Sequence, residues 1–241
     1  MSLAYLFYDL VLLFLFTLTH GFALGLVFSF YALLASVLAP LWLGLLFPCF
    51  ALIYLGLMLV LVCGIRCLLP VLKAGDYLVP KSSGFYLWTL YFSLNRLVWL
   101  HPIKNLILYS AGLRWLAFRA LGAKIAYSTS ISADVDFVDL SLISIGPDSM
   151  IGSGSILTGH FMSTDKLHLG PIEIGKNVNI GGNCQIGPNV SIGDGTWIGT
   201  GCSFAPLVTV GKNCRIEPLS VLPPGTTLED GEYWPVPEEA Y

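Results

Sequence analysis

Large apolar residues recur at every sixth position over much of the C-terminal half of the chain. Ten successive steps from Ile174 to Leu228 are all apolar, and the residue four places after each of the first nine is small. This period matches neither the 3.6-residue repeat of an α-helix nor the two-residue alternation of a strand. It is typical of a parallel β-helix, in which three hexapeptides form a coil of about 18 residues and coils stack to bury their short strands.

The same period begins near residue 125, so we assign residues 125–228 to this all-β domain. It slips by two residues between Phe137 and Ile145 and breaks between Leu157 and Ile174. Cysteines such as Cys184 fall on the small positions that point inward. There a thiol acts as a small apolar side chain, so we expect reduced, buried thiols and no disulfide framework.

The N-terminal third predicts a membrane part made of α-helices. Before Gly64 the only charged side chain is Asp9, and a spanning helix needs about 20 apolar residues. Ala39-Pro40 separates two such stretches, because proline disfavours helix at the residue before it. A further candidate break at His20-Gly21 leaves the number of spans open, at two or three. The predicted boundaries are 1–80 for the membrane part, 4–38 for the first span and 41–69 for the second.

Basic residues set the expected orientation. All twelve Lys and Arg residues come at Arg66 or later, and Lys73 and Lys81 follow closely. By the positive-inside rule this predicts an integral protein of the inner, cytoplasmic membrane with its β-helix on the cytoplasmic side. The chain is 55% hydrophobic and 11% charged, which makes membrane lipid an expected partner. A net charge of −3 gives no reason to expect nucleic acid.

The linker between the two parts, residues 81–124, predicts two amphipathic helices. Thr89, Ser93 and Arg96 form a narrow polar stripe, and His101-Pro102 ends this first helix. A second mixed pattern follows up to Leu121. Both helices are expected to lie in the lipid headgroup region, with packing between the spans and the β-helix as the alternative. Residues 229–241 read as an acidic C-terminal tail.

The break in the period, from Thr158 to Pro171, is the expected functional excursion, because insertions in a repeat protein map to one face. Here the chain resembles the left-handed β-helix hexapeptide-repeat acyltransferases. That resemblance implies a homotrimer, an acyl-CoA donor such as acetyl-CoA bound between subunits, and a catalytic histidine in the excursion.

A closer resemblance rests on Thr158-Gly159-His160, on the segment from Leu169 to Gly175 and on Leu222-Pro223-Pro224-Gly225-Thr226. These motifs resemble the membrane-bound C-terminal repeat units of ε-poly-L-lysine synthetase and related peptide synthetases. The family's acidic pair after Gly-His is replaced by Ser163-Thr164-Asp165, so only Asp165 is carried over. The resemblance implies one such unit standing alone, which a homotrimer would restore to a three-unit arrangement.

His160 is the predicted general base, since a neutral imidazole can take a proton from an attacking amine or hydroxyl. The register puts Asp139 one coil below Gly159, within reach to orient the ring, with a structural turn carboxylate as the alternative. Backbone N–H groups around Gly159 or around Gly181-Gly182 are expected to hold a developing oxyanion. The remaining predicted substrate contacts are Asp165, Asn177 one coil above, and His168 in phase with the inward positions.

The predicted function is membrane-bound acyl or aminoacyl transfer from a thioester to an amine or hydroxyl. The donor is an acyl-CoA or a carrier-protein thioester, and the acceptor a small or membrane-delivered molecule. A β-helix metalloenzyme needs three histidine ligands, whereas this domain offers only His160 and His168, so we expect no metal. A catalytically silent membrane scaffold is the remaining alternative.

Overall fold

The computed structural model describes residues 3–99 and 104–235, and the side chains of 6–99 and 105–235. His101-Pro102, predicted to end a helix, lies outside this part. The described residues form a helical half followed by a parallel β-solenoid of about six turns, which matches a left-handed β-helix.

Two long apolar helices make up the N-terminal part. The first consists of α1 (Leu3–Phe16), a π-helical turn (Thr17–Gly21) and α2 (Phe22–Ala35), while α3 (Pro40–Leu68) forms the second. Each is long and apolar enough to cross a membrane. The predicted break at His20 is a π-helical turn instead, in which the imidazole stacks on Phe16 at 4.3 Å. The described part therefore contains two such helices and not three.

The linker helices are α4 (Ser83–Trp99), α5 (Lys104–Tyr109) and α6 (Ala111–Ala120). Two of the three, α4 and α6, pack between the long apolar helices and the solenoid. The polar stripe on α4 does not face solvent, because Thr89 and Ser93 are buried and their hydroxyls donate to carbonyls one turn earlier. Helix α4 lies between α1 and the first coils, as the packing alternative expects, and its place in a headgroup region stays a prediction.

The solenoid has three flat faces built from short parallel strands. The strands of the first face are β2 (Lys124–Ile125), β5 (Ile143–Ile145), β10 (Ile172–Ile174), β13 (Val190–Ile192), β16 (Thr209–Val210) and β19 (Thr227–Leu228). Those of the second are β3 (Ser130–Ile131), β6 (Met150–Ile151), β11 (Asn179–Ile180), β14 (Trp197–Ile198), β17 (Arg215–Ile216) and β20 (Tyr233–Trp234). Those of the third are β4 (Asp136–Phe137), β7 (Ile156–Leu157), β12 (Gln185–Ile186), β15 (Ser203–Phe204) and β18 (Val221–Leu222).

The apolar residue of each hexapeptide points into one continuous core. Leu157, Ile198 and Ile216 are fully buried there. Glycine follows each of the five core residues from Ile174 to Ile198. It allows the coils to approach, since a Cβ on Gly181 would lie 2.7 Å from backbone atoms of the next coil. The core also holds Cys184, and all six cysteines are free.

The last coil extends beyond the predicted boundary at residue 228. Strand β20 pairs with β17, so Tyr233 and Trp234 belong to the solenoid and not to the predicted 229–241 tail. Trp234 lies six residues after Leu228 and continues the period. Glu238 and Glu239 of that tail lie outside the described residues.

Two insertions interrupt the regular coil of 18 residues that separates Ile174 from its partner Ile192. Ile125 pairs with Ile145, 20 residues later, and a short 3₁₀ turn at Leu140–Leu142 takes up the extra two. Ile145 pairs with Ile174, 29 residues later. The extra eleven residues form an antiparallel hairpin of β8 (His160–Met162) and β9 (Lys166–Leu169), and β1 (Gly75–Leu78) of the linker adds a third strand.

Candidate active site

The hairpin and the 3₁₀ turn bring a histidine and a carboxylate together. Nδ1 of His160, the first residue of β8, lies 2.6 Å from Oδ2 of Asp139. The Asp139 side chain is 3% exposed and the His160 side chain 18% exposed. A buried carboxylate at this distance holds the proton on Nδ1. Nε2 makes no hydrogen bond to any residue that the structure describes, so its lone pair is free to accept a proton.

The position of Asp139 follows from the two-residue slip in the repeat. Phe137 pairs with Leu157, and the two segments that follow them leave the third face at the same corner. The lower segment reaches Asp139 just before the 3₁₀ turn, while the upper segment continues through Gly159 into the hairpin. The coil spacing of about 4.8 Å sets the two side chains against each other.

Helix α4 completes the site with aromatic side chains. Trp88 donates its indole N–H to Oδ1 of Asp139 at 2.9 Å, so both carboxylate oxygens have partners. The Trp88 ring also packs beside the imidazole, with centroids 4.8 Å apart, and Phe92 meets it edge-on at 6.2 Å. These rings exclude water from one side of the dyad, which strengthens its electrostatic interactions.

A second polar residue of α4 holds the strand that leads into Asp139. The Asn95 amide donates to the carbonyls of Phe137, at 3.0 Å, and of Val138. Its own carbonyl accepts from the Trp99 indole at 3.0 Å. Asn95 is 3% exposed. This buried network fixes the position of the backbone immediately before Asp139.

Sequence reasoning missed the contribution of α4 to the site. The sequence predicts only that the helix carrying Trp88 and Asn95 lies in the lipid headgroup region, and it gives neither residue a role at the site. Both residues act through contacts with the solenoid 42 to 51 residues away in the chain. No local pattern in one sequence signals such a pairing.

Gly159 lies where it was predicted, beside His160, and it is tightly enclosed. A Cβ there would be 3.0 Å from Leu142 Cδ1 and 3.1 Å from the Gly170 carbonyl oxygen. The Gly159 carbonyl accepts from the Gly170 N–H at 2.8 Å and so closes the base of the hairpin. Asp165 lies at the opposite end of the hairpin, where its carbonyl accepts from the Val79 N–H at 2.8 Å. The structure therefore does not bring Asp165 to His160.

Asn177 was expected one coil above the site, and that placement is wrong. The hairpin adds eleven residues, so the register places β12, and not Asn177, above Leu157. Asn177 occupies the corner between the first and second faces, where its N–H donates to the Pro147 carbonyl at 3.0 Å. It has a φ of 53°, a left-handed turn conformation that asparagine tolerates well.

His168 was expected at an inward position, and it faces outward instead. It pairs with Phe161 across the hairpin, on the face opposite to His160, whose partner is Leu169. Leu167 and Leu169 point the other way, into a small apolar cluster with Trp88. The alternation of an antiparallel hairpin, and not the six-residue period, therefore determines the direction of His168.

A second polar cluster surrounds His168. Its Nδ1 lies 2.7 Å from Oδ1 of Asp76 on β1, and its Nε2 lies 3.2 Å from Oγ of Ser163. The Phe161 ring stacks on the imidazole at 4.2 Å and 11°. Across residues 3–99 and 104–235, no group of three or more His, Cys, Asp or Glu side chains is arranged to hold a metal ion.

Comparisons with known proteins found no matching family model and no matching curated protein. Solved structures that the chain is similar to include a hexapeptide-repeat acetyltransferase from Vibrio cholerae, with 19% identity over 58% of this chain and 82% of that one (TM-score 0.46). A maltose O-acetyltransferase from Clostridium difficile shares 22% identity over 65% and 88% (TM-score 0.47).

A further similar structure is the acetyltransferase domain of PglB from Neisseria gonorrhoeae in complex with acetyl coenzyme A. It shares 18% identity over 50% of this chain and 60% of that one (TM-score 0.19). The ligands and substrates of these proteins are properties of those proteins.

Proposed function

We propose that this protein is a membrane-bound acyltransferase in which His160 is the general base. The observation that carries the proposal is the dyad itself. His160 Nδ1 lies 2.6 Å from a carboxylate that is 3% exposed, while its Nε2 has no partner among the described residues. A general base needs such an open nitrogen, because Nε2 must take up the proton of the acceptor.

The reaction starts with an acceptor amine or hydroxyl beside Nε2. The acceptor attacks the carbonyl carbon of a thioester, and its proton moves to Nε2 as the new C–N or C–O bond forms. The tetrahedral intermediate then expels the thiolate and restores the carbonyl. The imidazolium returns the proton to the departing sulfur, so the products are an amide or ester and a free thiol.

Asp139 is a positioning residue for this base. It keeps the proton on Nδ1 in the resting enzyme and stabilises the imidazolium that forms during the reaction. Trp88 in turn fixes the carboxylate, because its indole N–H occupies the second oxygen. The Gly159 N–H is the proposed oxyanion donor, since no hydrogen bond from it to the described residues competes for that role.

The site lies close to a candidate membrane span, which favours an amphiphilic, membrane-delivered acceptor. The ring of Tyr8 on α1 lies 5.8 Å from Phe92, and Phe92 lies 6.2 Å from His160. The Phe7 ring on the same helix contacts Tyr86 of α4 at 4.7 Å. One aromatic layer thus separates the first long helix from the base. We place both long helices in the inner membrane and the solenoid on its cytoplasmic side.

The proposed donor is an acyl-CoA such as acetyl-CoA, or a carrier-protein thioester, and the proposed assembly is a homotrimer. Large side chains on the outward positions of the second face support association between copies. Met150 is 52% exposed and Tyr233 58% exposed, and a neighbouring copy would cover them. Asp165, at the exposed hairpin tip, is proposed to meet the acceptor from its far side.

The test uses the intact chain purified in mild detergent. Acetyl-CoA and free CoA are titrated first, and release of CoA thiol is then followed with a panel of amine and hydroxyl acceptors, lipid-anchored ones included. We expect His160→Gln to bind CoA like the wild type while turnover falls by about 100-fold or more. Asp134→Asn is the matched control, because Asp134 is an exposed turn carboxylate bound to Ser153 at 2.5 Å.

Three results would overturn the proposal in different ways. Equal turnover in His160→Gln and wild type would show that His160 is not the general base. A folded protein that binds neither CoA compound would exclude the acyl-CoA donor and direct the assay to a carrier-protein thioester. Absence of acyl transfer from both kinds of donor would favour the alternative function, a catalytically silent membrane scaffold.

A further inference from the structure

The outward face of the hairpin carries an arrangement that the proposed transferase site does not use. Ser163 Oγ lies 3.2 Å from His168 Nε2, and His168 Nδ1 lies 2.7 Å from Asp76 Oδ1. Hydroxyl, imidazole and carboxylate are thus connected in the order that activates a serine nucleophile. The three residues come from the hairpin turn, β9 and β1, so only the folded three-stranded sheet brings them together.

We propose that Ser163 is a second, nucleophilic site that accepts acyl groups from activated esters and thioesters. With the Nδ1 proton donated to Asp76, Nε2 of His168 is unprotonated and accepts the Ser163 hydroxyl proton. Ser163 Oγ also lies 3.3 Å from the Lys166 carbonyl oxygen, so this hydroxyl can reach either acceptor. His168 and Ser163 are the reacting groups here, and Asp76 is a positioning residue.

The chemical step balances without any further cofactor. Ser163 Oγ attacks the acyl carbon as its proton passes to His168 Nε2, and the leaving thiolate or alkoxide takes that proton. The acyl group is then bound to Ser163 as an ester. Water, deprotonated by the same imidazole, attacks this ester and the bond to Ser163 Oγ breaks. The imidazolium returns the proton to Ser163 Oγ, so that a carboxylic acid leaves and the serine is regenerated.

The turn after Ser163 supplies the groups that such an intermediate needs. The Ser163 N–H donates to the Lys166 carbonyl at 2.9 Å and closes the turn. Within the described ranges, the N–H groups of Thr164 and Asp165 donate to no protein acceptor, which leaves them available for the oxyanion. Phe161, 40% exposed and stacked on His168, offers an apolar wall for a short acyl chain.

The exposure of Asp76 limits how much this site can accelerate the reaction. The Asp76 side chain is 61% exposed and that of His168 22%, so water screens their interaction. Asp139, at 3% exposure, acts without such screening. We therefore expect slow turnover at Ser163 with small, activated esters, and a smaller effect from removing Asp76 than from removing His168.

This inference does not rest on the proposed transferase function. His160 and His168 lie on opposite faces of the hairpin and have separate carboxylate partners. A variant of one dyad leaves the other in place. The two proposals can therefore fail independently.

The test exposes the intact, detergent-solubilised protein to a fluorophosphonate probe and to p-nitrophenyl acetate. Peptide mass spectrometry locates the phosphonylated residue, and the ester gives an initial burst of nitrophenolate. We expect about one label per chain on Ser163, none there in Ser163→Ala, and a labelling rate about 100-fold lower in His168→Gln. Asp76→Asn should slow labelling by only about threefold.

The control variants distinguish a serine that is activated by His168 from one that is only exposed to solvent. Ser153 is an exposed turn serine that donates to Asp134 at 2.5 Å but has no histidine partner, so Ser153→Ala should leave labelling unchanged. His160→Gln should label like the wild type even where acyl transfer is lost. An unlabelled Ser163 would overturn the inference. So would equal rates in wild type and His168→Gln, or equal labelling of Ser153.

Discussion

Asparagine at position 139 should inactivate the proposed base because Trp88 dictates which way its amide points. The indole N–H of Trp88 donates to Oδ1 of Asp139 at 2.9 Å, and Oδ2 accepts from His160 Nδ1 at 2.6 Å. In Asp139→Asn one oxygen becomes an NH₂ donor. If the amide oxygen stays toward Trp88, its NH₂ faces Nδ1 and forces the proton onto Nε2. The base then has no lone pair where the acceptor binds.

The other orientation of the amide is also unfavourable. Turning the oxygen toward His160 sets the NH₂ against the Trp88 N–H and leaves a buried donor unpaired. Such a loss costs about 1–3 kcal/mol, or about 5- to 150-fold in population. The tautomer effect alone should therefore lower kcat/KM of Asp139→Asn by about 5- to 150-fold. Loss of the charge that stabilises the imidazolium lowers it further, within the range of about 10²–10⁴-fold that general base catalysis contributes.

Replacing Trp88 as well should restore part of this activity. In Trp88→Phe with Asp139→Asn, no indole competes for the amide oxygen, so it can turn toward Nδ1 and return the proton there. We expect the double variant to exceed Asp139→Asn by about tenfold, which corresponds to about 1.4 kcal/mol. Trp88→Phe alone should reduce activity, because it deprives a buried carboxylate oxygen of a hydrogen bond of about 1.5–3 kcal/mol.

The assay is initial-rate thiol release from acetyl-CoA by the four proteins in one detergent, with thermal unfolding followed in parallel. The diagnostic is a change of sign, in which Trp88→Phe harms the wild type and helps Asp139→Asn. Purely additive losses would refute the idea that Trp88 controls the imidazole tautomer through residue 139. Full activity in Asp139→Asn would refute the dyad itself.

Three further predictions test the hairpin and the register. Gly159→Ala should lower transfer activity while the far-ultraviolet circular dichroism stays native, because its Cβ would press on Leu142 and on the Gly170 carbonyl. Asn177→Gly should leave activity unchanged, since Asn177 lies at another corner. Asn177→Ala should lower the free energy of unfolding by about 1 kcal/mol, because the backbone at position 177 has a positive φ that alanine adopts at a cost. Leu157→Ala removes a fully buried side chain and should cost about 2–5 kcal/mol in chemical denaturation.

The solenoid was predictable because its signal is repeated. One hexapeptide is weak evidence, but ten steps in phase leave few other structures. The same counting placed Asp139 next to His160, since the slip of two residues between Phe137 and Ile145 could be read from the sequence. Counting six-residue steps failed for the coil above the hairpin. An insertion of eleven residues leaves 17 between Leu157 and Ile174, which looks like nearly three regular steps and led to the wrong register for Asn177.

Contacts between the two halves of the chain could not be predicted from periodicity. Residues 75–78 carry no strong strand pattern, yet they pair with β9 and supply Asp76. The polar stripe of α4 indicated a surface helix, although Thr89 and Ser93 satisfy their hydroxyls within the helix and face protein. In each case the partner is far away in the sequence, and one sequence alone does not identify it.

The pairing of β1 with the hairpin assigns the helical half a structural role at the site. Strands of three and four residues joined by a tight turn are at best marginally stable by themselves. Here β1 covers one edge of the hairpin, and Leu167 and Leu169 pack against Phe85 and Trp88 of α4. The segment that forms β1 begins seven residues after the end of α3. A displacement of α3 or α4 therefore acts on β9 and, through it, on β8, the strand that carries His160. The apolar helices thus support the geometry of the base as well as the proposed attachment to a membrane.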